Sequence, residues 1–176
     1  MKYFTPELYL RGNSPDDTAV DGVEEAWERA IQRYRRRLAK IRAAFPEGWQ
    51  RFRDDQVCLH DAQLLSLARQ GSTVVFVLQQ EAPLHNVVLL HFTLDGEPDI
   101  DPAALSGRQD RTFVTWMYEE FDLDRQGRCC FEVLLSNGWA VKLRFRDFHY
   151  LVGRALLPIE NGRAAHAASK SLAQPT

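Results

Sequence analysis

Apolar and polar residues alternate with period two through Arg128–Asp147. Cys129, Phe131, Val133 and Leu135 fall on one side of the alternation, and Arg128, Cys130, Glu132 and Leu134 on the other. After Ser136-Asn137-Gly138 the pattern resumes, with Trp139, Val141, Leu143 and Phe145 alternating with Ala140, Lys142, Arg144 and Arg146. Two such runs predict a pair of half-buried strands. Register then decides the loop. A two-residue loop at Asn137-Gly138 sets Val133 opposite Lys142 and splits the apolar face. A three-residue loop sets Leu135 opposite Trp139, Val133 opposite Val141 and Phe131 opposite Leu143. It also puts Glu132 across from Lys142 on the wet face and leaves Gly138 for the left-handed position. The three-residue loop is therefore expected, and with it an antiparallel sheet with one buried face.

Upstream the period changes. Val23, Trp27, Ile31, Tyr34, Leu38, Ile41 and Phe45 recur at spacings of four and three, an apolar stripe down one helix that Pro46 ends. Ser14-Pro15-Asp16-Asp17 reads as its start, with a capping serine and a proline in the first turn. Gly22 weakens the first part and allows a start at Asp21. Pro46-Glu47-Gly48-Trp49 predicts a turn or a short second helix through Phe52. Beyond Gln56 the chain reads as strands: Val57–Ala68, Thr73–Gln79, Asn86–Leu94, Arg111–Phe121 and the hairpin. Glu97 to Asp110 reads as a long loop. Arg111–Phe121 is apolar on both faces, which predicts a central position. Phe148–Ile159 is apolar without a clean period and reads as a last strand or a packing arm. The fold expected is α+β: a long N-terminal amphipathic helix packed on an antiparallel sheet of about six strands, in one domain over 1–160. From Asn161 the small, polar tail is expected to be disordered.

Composition narrows the class without naming a function. The chain has 176 residues, is 45% hydrophobic and 26% charged, and carries a formal net charge of −2, the profile of an ordinary globular domain. Near-neutrality argues against a protein devoted to coating nucleic acid or an anionic membrane. The longest apolar run, Val74–Leu78, is far short of the roughly 20 residues a membrane helix needs. The N-terminus lacks the basic start and apolar core of a signal peptide. Three cysteines without a C-x-x-C offer neither a disulfide framework nor a zinc-ribbon spacing. Cys129 and Cys130, as strand neighbours, face opposite ways. A cytoplasmic location is expected.

Two short motifs carry a likeness. Met1-Lys2-Tyr3-Phe4-Thr5 and Leu59-His60-Asp61-Ala62 resemble those of an uncharacterised bacterial family. Its members open with M-K-Y-F-T, run through a helical region, and carry L-H-D-A before a β-rich C-terminal half. That family is a domain of unknown function, so the resemblance implies a bacterial origin and an α+β layout but no chemistry. The helical region here is shorter than in those members.

Candidate chemistry is sparse. His60-Asp61 offers a metal-ligating pair, but adjacent residues on a strand would face opposite ways. The preferred reading is that they satisfy backbone groups where the first strand begins. Asp147 and His149 share a strand face and, with His60 or His91 beside them, would suit zinc or iron. A solvated strand end is the simpler reading. Arg29–Arg42 holds Arg29, Arg33, Arg35, Arg36, Arg37, Lys40 and Arg42 without an acid, a basic face for phosphate or an acidic partner. It also completes a charge gradient that begins with Asp16, Asp17, Asp21, Glu24, Glu25 and Glu28 and follows the helix dipole. Cys58 and Ser66 lie within strand patterns, and no G-x-S-x-G, Walker or G-x-G-x-x-G sequence occurs. Glu119-Glu120 reads as charge at a strand end.

The function expected, mostly by exclusion, is a non-catalytic module that binds another protein, with no cofactor, no metal and no membrane contact. Toxin-neutralising immunity proteins share this size and layout, which is analogy at the level of fold. The alternatives are a metal-dependent hydrolase using His60, Asp61, Asp147 and His149, and nucleic-acid contact through Arg33, Arg36, Arg37 and Lys40.

Overall fold

The structure is a computed structural model that describes residues 1–12, 22–81, 86–100 and 113–154. Helices α1 (Pro6–Gly12), α2 (Val23–Ile41) and α3 (Glu47–Asp54) precede strands β1 (Gln63–Gln70), β2 (Thr73–Gln79), β3 (Asn86–Leu94), β4 (Asp99–Ile100), β5 (Trp116–Leu123), β6 (Cys129–Leu135) and β7 (Ala140–Arg154). The architecture is α+β, and the six long strands form an antiparallel sheet in the order β1-β2-β3-β7-β6-β5, with β4 beside β7.

The β6–β7 hairpin has the expected register: Val133 faces Val141, Phe131 faces Leu143 and Glu132 faces Lys142. The Leu135 N–H donates to the Trp139 carbonyl at 2.9 Å, and Gly138 takes φ +82°. β2 and β3 also have the bounds read from the sequence.

β7 departs from it. Its first half pairs with β6 as far as Phe145, and its second half pairs with β3 from Phe145 to Arg154. Between them Leu94 faces Phe145 while Thr93 faces Asp147, so Arg146 is an extra residue in a bulge. The bulge flips the phase. Val141, Leu143 and Phe145 point inward before it, and Phe148 and Tyr150 after it. This is why Phe148 onward shows no clean period although it is strand as far as Arg154; residues 155–159 lie outside the described residues, as does the tail expected to be disordered.

The segment expected to be central is marginal. β5 ends the strand order, and its start is hydrogen-bonded to the start of β1. Asp61 N–H donates to the Trp116 carbonyl at 2.9 Å, Trp116 N–H to Ala62 at 2.8 Å, and Leu64 N–H to Val114 at 2.8 Å. The sheet therefore curls until its margins meet at one end, like a half-barrel. β5 is apolar on both faces because both are covered. Trp116 and Phe121 enter the core, while Tyr118, on the other face, stacks with Phe4 and lies tilted against Trp27.

Helix α2 begins at Val23 behind Gly22, which has φ +72°; the Ser14 start lies outside the described residues. Val23, Ala30, Tyr34, Leu38 and Ile41 are buried, and Trp27 and Ile31 are half-buried against the core. The helix meets the sheet along β5, where the Tyr34 hydroxyl accepts the Phe121 N–H at 2.7 Å. The hollow of the sheet is instead filled by α3, whose Trp49 and Phe52 are each 1% exposed and pack on Phe121 and Phe148. The N-terminal segment is held by a carboxylate. Glu120 accepts the backbone N–H groups of Lys2, Tyr3 and Phe4 at 2.7, 2.6 and 2.6 Å, and the Met1 amino group pairs with Glu132. Part of the expected 97–110 loop is strand, since Asp99 and Ile100 pair with Lys142 and Val141; the rest lies outside the described residues. No described helix is long and apolar enough to cross a membrane.

Candidate functional site

His60 and Asp61 do not sit on a strand. They occupy a turn before β1, closed by Ala62 N–H donating to the Leu59 carbonyl at 2.9 Å. Asp61 has φ +63°, which swings its side chain round so that the two do meet: His60 Nδ1 lies 2.8 Å from Asp61 Oδ2. The expectation of opposed side chains is thereby corrected. Leu59 and Ala62 are buried, and the turn's backbone joins β1 to β5. Its four residues thus close the sheet, with the pair turned to solvent and the His60 ring against Tyr118.

Asp147 and His149 share a face as expected, with Asp147 Oδ2 and His149 Nε2 3.0 Å apart. His91 is the cross-strand partner of His149, with ring centroids 6.1 Å apart. His60 and Asp61, by contrast, stand where β1 meets β5. Among the described residues no three His, Cys, Asp or Glu side chains converge as metal ligands.

The basic helix face divides. Arg33, Arg36 and Lys40 stand in solvent, but Arg37, expected beside them, is half-buried with its Nε donating to Asp122 at 2.6 Å. Arg29 pairs with Glu25 and Arg42 with Asp54. The cysteines are weak nucleophile candidates. Cys58 is exposed in a loop rather than on a strand. Burial pushes the Cys129 thiol up to about 11, far from the thiolate form at neutral pH.

Glu119 and Glu120 are mid-strand, not solvated ends, and both have structural surroundings. Glu119 faces Val133, so its side chain turns inward, where it accepts the Trp116 indole N–H at 2.8 Å. Burial raises its pKa, opposed by that hydrogen bond and by Arg53 and His60. A carboxyl whose folded pKa lies above its unfolded one binds extra protons when folded, so it costs stability as pH rises from its ordinary value of 4.5 through the raised one. Glu119→Gln keeps an acceptor for Trp116 and removes that penalty. The variant is expected to equal or exceed the parent in stability at pH 7 and to show a flatter stability profile above pH ~4.5. Urea melts across that range check it; a less stable Gln variant at pH 7 would mean that the charge itself is needed.

The feature that sequence reading missed is the outer face of β1, β2, β3 and the second half of β7. Cross-strand rows there run Ser66, Val77, Leu89, Leu151 and Ala68, Val75, His91, His149. Val75, Val77, Val87 and Leu89 all keep some exposure, and Leu65 and Leu151 are 39% and 68% exposed. The other half of the same face carries the rows Tyr118, Leu134, Ala140; Glu120, Glu132, Lys142; and Asp122, Cys130, Arg144, and the N-terminal segment and Trp27 of α2 lie over part of it. The signal was in the sequence: Thr73–Gln79 and Asn86–Leu94 are nearly continuous apolar runs, which strands show when both faces are covered. The inner face is covered by this chain's core, whereas on the outer face Val75, Val77, Val87 and Leu89 keep part of their exposure. No family model matches the chain, and neither does a curated protein or a solved structure.

Proposed function

We propose that the chain is a non-catalytic module, in the cytoplasm of a bacterium, that recognises another protein through the apolar outer face of β2, β3 and β7. One observation carries this reading: the Val77–Leu89–Leu151 row and its neighbours Val75 and Val87 form an apolar patch that keeps exposure, whereas the N-terminal segment lies over part of the other half of the same face. Exposed apolar patches mark interaction surfaces. The metal-hydrolase alternative has less support, because His60/Asp61 and Asp147/His149 stand on different parts of the sheet. Nucleic-acid contact would rest on a single exposed helix stripe from which Arg37 has been withdrawn.

The test places a photo-crosslinking residue at Val77 in one full-length variant and at Lys142 in another, each exposed to extract of the producing cells. A discrete adduct with a different protein is expected at Val77 and not at Lys142. Adding Leu89→Lys should abolish it while leaving the melting temperature within a few degrees. No adduct at Val77, or equal labelling at the two positions, refutes the reading.

A further inference from the structure

We infer that His91 and His149 form a binding site for a divalent late transition-metal ion, copper(II) before nickel(II) or zinc(II), with Asp147 orienting one of the two ligands. The inference goes beyond the protein-binding reading and does not depend on it. It departs from the metal-free expectation drawn from the sequence. β3 supplies one ligand and β7 the other, so neither segment alone shows the pair.

The β3–β7 ladder brings the imidazoles together. His91 and His149 are direct cross-strand partners, so their side chains leave the same face of the sheet. Their ring centroids stand 6.1 Å apart, with the planes at 54°. An imidazole nitrogen bonds zinc at about 2.0–2.1 Å, and about 1.2 Å more reaches the ring centre, which puts an ion about 3.2 Å from each centroid. Two rings sharing an ion are then about 4.6 Å apart at a right-angled bite and about 6.5 Å apart at a linear one. The observed separation falls inside that range. His149 is 59% exposed on its side chain, so its ring can turn to aim a nitrogen while the backbone stays paired.

The nitrogens have different surroundings. His149 Nε2 lies 3.0 Å from Asp147 Oδ2. A carboxylate there holds the proton on Nε2 and leaves the Nδ1 lone pair for a metal, as where a carboxylate orients a metal-bound histidine. His91 Nδ1 is out of contact with water and has no hydrogen-bond partner. Buried polar atoms ordinarily have one, and an ion bonded at this nitrogen supplies it. Thr93 and Asp147 flank the pair on one side, and Leu89 and Leu151 on the other. Those four positions add one negative charge and no positive one. Arg51 lines a groove together with His149. Its charge opposes ions held by charge alone, such as magnesium and calcium, and leaves the site to ions that bond imidazole strongly. Since no three ligands converge among the described residues, the protein supplies two nitrogens and water completes the coordination.

The experiment titrates copper(II) sulfate into the purified full-length chain, followed by visible absorption and electron paramagnetic resonance. One equivalent should bind, with hyperfine structure from two imidazole nitrogens. His91→Gln and His149→Gln should each weaken binding at least tenfold and reduce the count to one nitrogen. Asp147→Asn should weaken it about tenfold yet leave the count at two, because Asp147 touches the ligand and not the ion. His60→Gln should change nothing. Zinc(II) chloride should occupy the same site more weakly. Copper should also raise the melting temperature of the parent but not that of His149→Gln, whose own melting temperature without metal should match the parent's. Absence of binding, an equivalent that survives both His91→Gln and His149→Gln, or binding lost on His60→Gln instead would each overturn the assignment. Parent-like affinity in Asp147→Asn would overturn the part given to the carboxylate.

Discussion

Replacing Gly48 with alanine is expected to destabilise the fold by about 3 kcal/mol. Helix propensity alone favours the substitution by about 1 kcal/mol, so the sign depends on the surroundings. A Cβ at this position would lie 1.9 Å from the Phe148 carbonyl oxygen and 3.1 Å from its carbon. Both are backbone atoms and cannot rotate aside. Nor can either element retreat cheaply: α3 is anchored by Trp49 and Phe52, each 1% exposed, and β7 by Phe148, 0% exposed. Gly153→Ala is the control, since nothing stands within 4 Å of its added Cβ, and a change within about 0.5 kcal/mol is expected there. Paired urea melts decide the matter. A Gly48→Ala protein as stable as the parent would show that α3 does not lie against β7 as closely as described.

Glu120→Ala should be comparably severe, at about 3 kcal/mol or more, because three buried or part-buried N–H groups lose a charged acceptor together. The carboxylate is 5% exposed and faces Glu132 across the β5–β6 ladder. Two like charges in that position repel. The repulsion is offset by what the N-terminal segment brings: the Lys2, Tyr3 and Phe4 N–H groups to Glu120 and the Met1 amino group to Glu132. With the acceptor gone, the segment regains its hydrogen bonds only by leaving for water, which uncovers Tyr3, Phe4 and the ring of Tyr118. Amide exchange at Tyr3 and Phe4 should therefore accelerate far more than exchange in β2. Uniform acceleration would mean that the whole fold opens and that the segment is not a separable clasp.

Both positions also show where reading the chain stops. Gly48 stood out in the sequence only as a turn-former, and Glu120 only as charge at a strand end. Neither role is visible locally, because each is defined by a partner about a hundred residues away in the chain: Phe148 for Gly48, and Lys2 to Phe4 for Glu120. The same holds for the candidate site. Asp147 and His149 could be placed together from strand period alone, but the arrival of His91 beside them needed the β3–β7 pairing. His60 and Asp61 were separated on the assumption of a strand; a left-handed Asp61 brought them together.

What the sequence determined by itself was whatever one period could encode. The β6–β7 register followed from two alternating runs and the three residues between them. The bounds of β2 and β3 followed from continuous apolar runs, and the buried stripe of α2 from its three-and-four spacing. In each case neighbouring residues carry the information, because one element's own geometry sets the repeat. The tertiary structure alone decided the rest. A one-residue bulge at Arg146 reversed the phase of β7 and made a strand look aperiodic. Margins joined at Gln63 and Thr115 put the two-faced strand β5 at the end of the sheet, where the N-terminal segment supplies the cover that a further strand would have given. That the outer face of β2 and β3 keeps part of its exposure has a related reason. Hydrophobic pattern records that a face is apolar, and only the arrangement of the other elements determines whether this chain covers it.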